Sequence, residues 1–189
     1  PDGTSVEYTG NGRTNVGTMG VTATITGSNF TTLELKADLT ITPATVTVTA
    51  DSGQSKVYGE ADPELTYTNS TLVEGNTIEG SLSRAAGESV GTYEIELGSL
   101  NAGANYTISF ASGTLFTITP AEVEEITFSA ASFTYDGTEQ SLEITGDLPD
   151  GTSVEYTGNG RTNVGTQEVT ATITGSNFTT LELKADLTI

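Results

Sequence analysis

At 189 residues the chain has room for one or two domains, and 34% apolar content with 22 glycines favours small, turn-rich modules over one large core. Its net charge of −19, from 25 acids against 6 bases, sets it against nucleic acid and anionic membrane surfaces through like-charge repulsion. Cysteine and histidine are absent, which excludes disulfides, thiolate metal sites and nucleophilic schemes that need Cys or His.

Residues 1–41 read as three strands. SVEYT at Ser5–Thr9 is followed by turn chemistry in GNGRTN. Gly20–Thr26 then alternates Val21, Ala23 and Ile25 with threonines. In the third strand Leu33, Leu35, Ala37, Leu39 and Ile41 share one face, while Glu34, Lys36, Asp38 and Thr40 share the other. Strict period-two alternation marks a strand with one buried and one wet face.

Thr42-Pro43-Ala44 follows, and Thr119-Pro120-Ala121 recurs further on. Proline lacks an N–H and ends a ladder, so both read as short, stiff junctions between modules. Between them, Thr45–Ala50, Lys56–Tyr58, Glu64–Thr68, Gly80–Arg84, Thr92–Leu97, Asn105–Ser109 and Gly113–Ile118 are strand candidates, separated by Gly, Asn and Asp-Pro turns. Seven short strands without helical periodicity predict an antiparallel sandwich or small barrel. Ile126–Ser129, Phe133–Tyr135 and Leu142–Ile144 open the last module.

From Pro149 the chain repeats itself. PDGTSVEYTGNGRTNVGT and VTATITGSNFTTLELKADLTI recur, ending at Ile189, and only Met19 and Gly20 change, to Gln167 and Glu168. The middle and last modules are cousins: VGTYEIELGSLNAGANYTISF aligns with VGTQEVTATITGSNFTTLEL, and Asn105-Tyr106-Thr107 with Asn177-Phe178-Thr179. Three segments follow: 1–42, the C-terminal half of a repeat module; 43–119; and 120–189, of which 149–189 repeat 1–41. The half-module lacks a counterpart of Ala121–Leu148, so its apolar face and strand edges are expected to be open. No signal peptide or apolar run of membrane-spanning length occurs; an export signal is expected outside these residues, because the sequence opens inside a repeat.

KVYGEADPELTYT at Lys56–Thr68, GSLSRAAGESVGTYEIELG at Gly80–Gly98 and NYTISFASGTLFTIT at Asn105–Thr119 resemble the YGX-type MBG domains of bacterial surface proteins. FTYDGTEQSLEITG at Phe133–Gly146 resembles the YDG-type repeats found beside them. The resemblance implies tandem modules in long secreted or wall-attached adhesins, with no catalytic residues to carry over. The implied fold class is all-β: tandem small immunoglobulin-like antiparallel sandwiches, or a β-grasp-like alternative, placed end to end after an N-terminal half-module.

Candidates for chemistry are few. Glu124-Glu125, Asp147 with Asp150, and Glu60 with Asp62 are the nearest carboxylate pairs, and each reads more simply as turn or surface acids than as a glycosidase pair. Hard cations need several oxygens converging from a loop, so scattered acids leave calcium as the one cofactor candidate and designate no metal site. Tyr58 and Tyr135 open matching turns and are expected to pack in the core. Gly59, Gly91, Gly137 and Gly165 are expected to supply turn or close-approach conformations. Arg84 and Arg161 precede the VGT turns and are expected to pair with carboxylates. Lys56 is a candidate for a Lys–Asn isopeptide crosslink, whereas Lys184 falls on the wet face of its strand. Asn29, Asn69, Asn105 and Asn177 sit in Asn-X-Ser/Thr triplets and read as unmodified turn residues.

No catalytic, cofactor or metal residue is therefore assigned. The expected role is a stalk or spacer segment of an extracellular bacterial adhesin. The alternatives are a repeated glycan- or protein-binding module, and a strand-exchanging filament or matrix subunit. Expected partners are neighbouring repeats of the same chain, and other copies through the open half-module.

Overall fold

The computed structural model describes residues 3–189; the first two residues of the repeat, Pro1 and Asp2, lie outside the described residues. The elements are strands alone: β1 (Thr4–Thr9), β2 (Gly17–Gly27), β3 (Phe30–Ile41), β4 (Ala44–Ala50), β5 (Ser55–Val57), β6 (Tyr67–Asn69) and β7 (Ser83–Arg84). After them come β8 (Gly91–Glu96), β9 (Tyr106–Ala111), β10 (Leu115–Thr119), β11 (Ala131–Ser132), β12 (Thr152–Thr157), β13 (Thr166–Gly175) and β14 (Phe178–Thr188). They belong to two compact units.

The first unit comprises the chain up to Asp51, with Leu65–Ser83 and Glu96–Ser112. It holds the antiparallel sheet β1-β2-β3 and the sheet β6-β4-β9. In β4 the predicted alternation holds: Val46, Val48 and Ala50 are buried while the threonines between them are exposed. The second unit comprises Ser52–Glu64, Arg84–Ile95 and Gly113–Ile189. It holds the sheets β5-β10-β8-β7 and β11-β14-β13-β12. Phe116 and Ile118 on β10 and Ile95 on β8 are fully buried. In the last module Leu142, Val169, Ala185 and Leu187 form a core, with Phe128, Ala131, Tyr156 and Ile189 packed against it.

The all-β expectation is met, with one correction to its pairing. β4 runs parallel to β9, β10 to β5 and β11 to β14, so these sheets are mixed and not purely antiparallel. The opening strands expected in the last module are also largely absent as ladders. Only Ala131–Ser132 pairs as a strand, and Thr127 bridges Thr145. Side chains replace the missing ladder partners. Asn159 accepts the Leu142 N–H at 2.7 Å and donates to the Leu142 carbonyl at 2.7 Å. The Tyr156 hydroxyl accepts the Ile144 N–H at 2.9 Å. Buried backbone groups must find partners, and a layer with little ladder pairing is stable when side chains supply them.

The two copies of the repeat share one register: Val6 opposes Ile25 as Val154 opposes Ile173, and both hairpins shift register one residue before their glycine. Their surroundings differ. Ile173 and Leu187 are fully buried beneath the irregular layer, whereas Ile25 and Leu39 are partly buried. Leu33 and Leu35 are 50% and 53% exposed. Local sequence fixes strand and register; the covering layer decides burial.

Candidate functional site

The densest cluster of charge lies in the second unit. Arg84 forks onto Asp62, its Nε donating to Oδ2 at 2.6 Å and its Nη2 to Oδ1 at 2.9 Å. Nη2 also reaches Glu88 at 2.8 Å, and Nη1 donates to the Gly87 carbonyl at 2.5 Å and the Ala85 carbonyl at 3.1 Å. Lys56 pairs with Asp62 at 2.7 Å and with Glu88. The guanidinium lies 5.1 Å from the Tyr93 ring centroid and 5.3 Å from that of Phe116, within cation–π range. The expectation that Arg84 meets a carboxylate is met.

Hydrogen bonds from Arg84 first, and Lys56 next, hold the Asp62 carboxyl down at about 2. Lys56 and then Arg84 lower Glu88 in the same way, and the carboxylates raise Lys56. A depressed carboxylate contributes stability that is complete above its unfolded value, near 4, and is lost as pH falls through its folded value. The stability gap between the parent chain and Asp62→Asn is therefore expected to be full at pH 5 and to shrink between about pH 4 and pH 2. Urea midpoints of both chains across that range check it; a constant gap contradicts it.

This charge state also disfavours crosslinking. Amide formation needs a neutral amine and a carbonyl able to lose its leaving group, and here lysine and both carboxylates are held ionised. The groups against Lys56 are Asp62 and Glu88, not an asparagine amide, so the Lys–Asn expectation is not supported. Lys184 is exposed as expected and pairs with Glu168 at 2.8 Å on the surface.

The remaining carboxylate candidates do not assemble. Glu124, Glu125, Asp147 and Asp150 are all exposed. Among the described residues no group of three or more acidic side chains converges to hold a metal ion. Asp136 instead organises the YDG turn: its Oδ1 accepts the Thr138 N–H at 2.8 Å and the Thr138 hydroxyl at 2.7 Å, an Asx-type turn.

A second arrangement occurs twice. In the first unit the Val16 N–H donates to Asn105 Oδ1 at 2.9 Å, and Asn105 Nδ2 donates to Asn15 Oδ1 at 3.0 Å. In the second unit the Val90 N–H donates to Asn177 Oδ1, again at 2.9 Å. Each valine opens a VGT turn of one module, and each asparagine belongs to the Asn-aromatic-Thr triplet of the next. The asparagine main chain meanwhile holds the alanine that follows the junction proline of its own module: Ala44 N–H donates to the Asn105 carbonyl and Ala121 N–H to the Asn177 carbonyl, both at 3.0 Å. Tyr58 adds an edge-on contact to Phe178, with centroids 5.5 Å apart at 73°. Beside Asn105 lies an open groove of about 350 Å³, whose lining includes Asn15, Val73, Asn76 and Tyr106; among the described residues that tyrosine is its only titratable side chain.

Arginines shape the two copies of the repeated VGT turn. Arg13 Nε donates to the Asn15 carbonyl at 2.6 Å and Nη2 to the Val16 carbonyl at 2.5 Å. Arg161 Nη2 donates to the Val164 carbonyl at 3.1 Å. The arginine approaches so closely that a Cβ at Gly17 or Gly165 would lie 2.1 Å from its Nη2, and both glycines adopt positive φ (133° and 138°). Arg161 thus corrects the carboxylate expectation: its partners are a backbone carbonyl and, at 3.4 Å, the Gln167 side-chain oxygen.

The tyrosines correct another expectation. Tyr58 is half-buried at a joint, and Tyr135 is 59% exposed. From the sequence the joint asparagines read only as turn residues. The missed signal was pairing: Val16, Val90 and Val164 in VGT recur in step with Asn29, Asn105 and Asn177 before an aromatic.

Comparison with known proteins bears on both modules. Residues 46–117 match the MBG domain (YGX type), and residues 124–185 match the MBG domain. No curated protein matches the chain. Among solved structures it is similar to a SusE-like surface-located polysaccharide-binding protein from the Bacteroides thetaiotaomicron heparin utilisation locus, at 14% identity and a TM-score of 0.33. That match covers 100% of this chain and 36% of the other, so this chain spans about a third of its length, and a likeness at that score carries no argument about ligand.

Proposed function

We propose, from the premise that this chain belongs to the MBG domain family as two such domains in tandem, that it is a non-catalytic stalk or spacer segment of a large bacterial surface adhesin. Its place is extracellular, at the cell surface or secreted. The observation that carries the reading is the repeated joint. Two modules of different sequence are entered through the same valine-to-asparagine hydrogen bond, while the ionised cluster is consumed in holding a turn. A selected, recurring module end is what a spacer needs and what a lone binding domain does not.

The exposed aromatics support the same reading over a glycan platform. Tyr8 is exposed, but its counterpart Tyr156 packs on Phe128 at 5.9 Å. Phe30 is exposed, but its counterpart Phe178 meets Tyr58. Tyr135 is exposed, but its counterpart is that same Tyr58. Each ring thus has a packing partner wherever its neighbouring layer or module is present.

An array of several natural periods is expected to scatter X-rays at small angles as a rod that lengthens in proportion to period number. A compact or freely jointed particle contradicts the spacer reading. The open faces of Leu33 and Leu35 favour a second reading, in which another copy covers the half-module by strand exchange. A strict monomer over a wide concentration range contradicts that one.

A further inference from the structure

We propose that the end of the last module carrying Val164 and Tyr135 is a docking face for a further YGX-type module, one with the sequence of residues 42–119 joined on the same polypeptide. The inference rests on the geometry of the two joints and stands whether or not the array serves as a stalk.

The turn at Val164 is a duplicate of the one at Val16. Residues 149–166 reproduce residues 1–18 without change, so Val164 lies in the same turn as Val16. Val16 is half-buried against the asparagine of a YGX-type module; Val164 is 72% exposed. In both places an arginine donates to the valine carbonyl and the glycine next to it tolerates no Cβ. A shaped turn whose valine is exposed is a preorganised half of a contact.

One buried atom of the last module is also left unsatisfied. Arg13 Nε donates to the Asn15 carbonyl, and Asn15 is itself held by Asn105. In the last module the counterpart, Arg161 Nε, is buried without a hydrogen-bond partner. Leaving a buried donor unpaired is costly, and the occupied joint shows the arrangement that satisfies it. The aromatics point the same way: Tyr58 meets the ring after the acceptor asparagine at one joint, and its counterpart in the last module, Tyr135, is exposed. The occupant is the YGX type because the sequence context of Val16, which Val164 shares, receives Asn105 and not Asn177.

The test extends the 189-residue chain by residues 42–119 placed after Ile189, and follows amide hydrogen exchange by nuclear magnetic resonance. Val164 is expected to slow about tenfold, the size of effect one hydrogen bond supplies, and to approach the rate of Val16. Alanine at the added counterpart of Asn105 should restore fast exchange, while aspartate there, which keeps Oδ1, should keep it slow. In the unextended chain, Asn105→Ala should speed Val16 and leave Val90 unchanged. Unchanged Val164 exchange in an extended chain whose added strands are protected overturns the proposal. So does a Val164 amide already as slow as Val16 before extension.

Discussion

Arg84→Ala is expected to destabilise the second unit by about 3 kcal/mol, near the low end of the cost of breaking a buried ion pair from one side. The side chain is nearly inaccessible, at 6%, yet its carboxylate partners are 40% and 70% exposed, so water recovers part of what they lose. What water cannot recover is the rest of the geometry. The fork onto Asp62, the bonds to the Ala85 and Gly87 carbonyls and the stacking on Tyr93 and Phe116 all converge on one guanidinium. Arg84→Lys keeps the charge but not the planar fork, so it should recover less than half of the loss. Urea denaturation followed by hydrogen exchange in β8 and β10 reads both variants. An alanine variant within about 0.5 kcal/mol of the parent would show the cluster to be ornamental.

A matched pair of substitutions probes the covering layer. Leu187→Ala is expected to cost about 3 kcal/mol, because the side chain is fully buried in the core with Leu142 and Val169. Leu39→Ala, at the identical position of the first repeat, should cost about 1 kcal/mol or less, since Leu39 is only partly buried. Strand and register are the same in both, but the residue opposite the leucine differs, Met19 in the first repeat and Gln167 in the second, so the first-repeat measurement is made in a Met19→Gln background and the difference then reads the layer supplied by residues 121–148. Exchange rates of the β13–β14 and β2–β3 amides measure each locally. Equal costs would mean that the first repeat is covered as fully as the second.

That contrast also marks how far the sequence could be read. β3 and β14 announce themselves by alternation, and the duplicated register follows from duplicated residues. The parallel pairings were not legible, because period two reports which face is buried and not which neighbour lies alongside. Leu142 and Ile144 read as a strand because their pattern is apolar, but Asn159 and Tyr156 satisfy their backbone by side chain, which no local pattern records. Arg84 reads from the sequence as the partner of a carboxylate and Lys56 as a crosslink candidate, yet their meeting on Asp62 and Glu88 required the fold. The joint asparagines were hidden by a commoner reading, since Asn before an aromatic and threonine looks like an ordinary turn. Only the pairing of each with a VGT turn elsewhere in the chain gives them a role.

Module joining through one repeated contact is the centre of this account, and the parent chain tests it without substitution. Amide hydrogen exchange should find Val16 and Val90 slowed by their asparagine acceptors and Val164 exchanging about tenfold faster, despite the identity of its turn to that of Val16. Three equal rates would contradict the account.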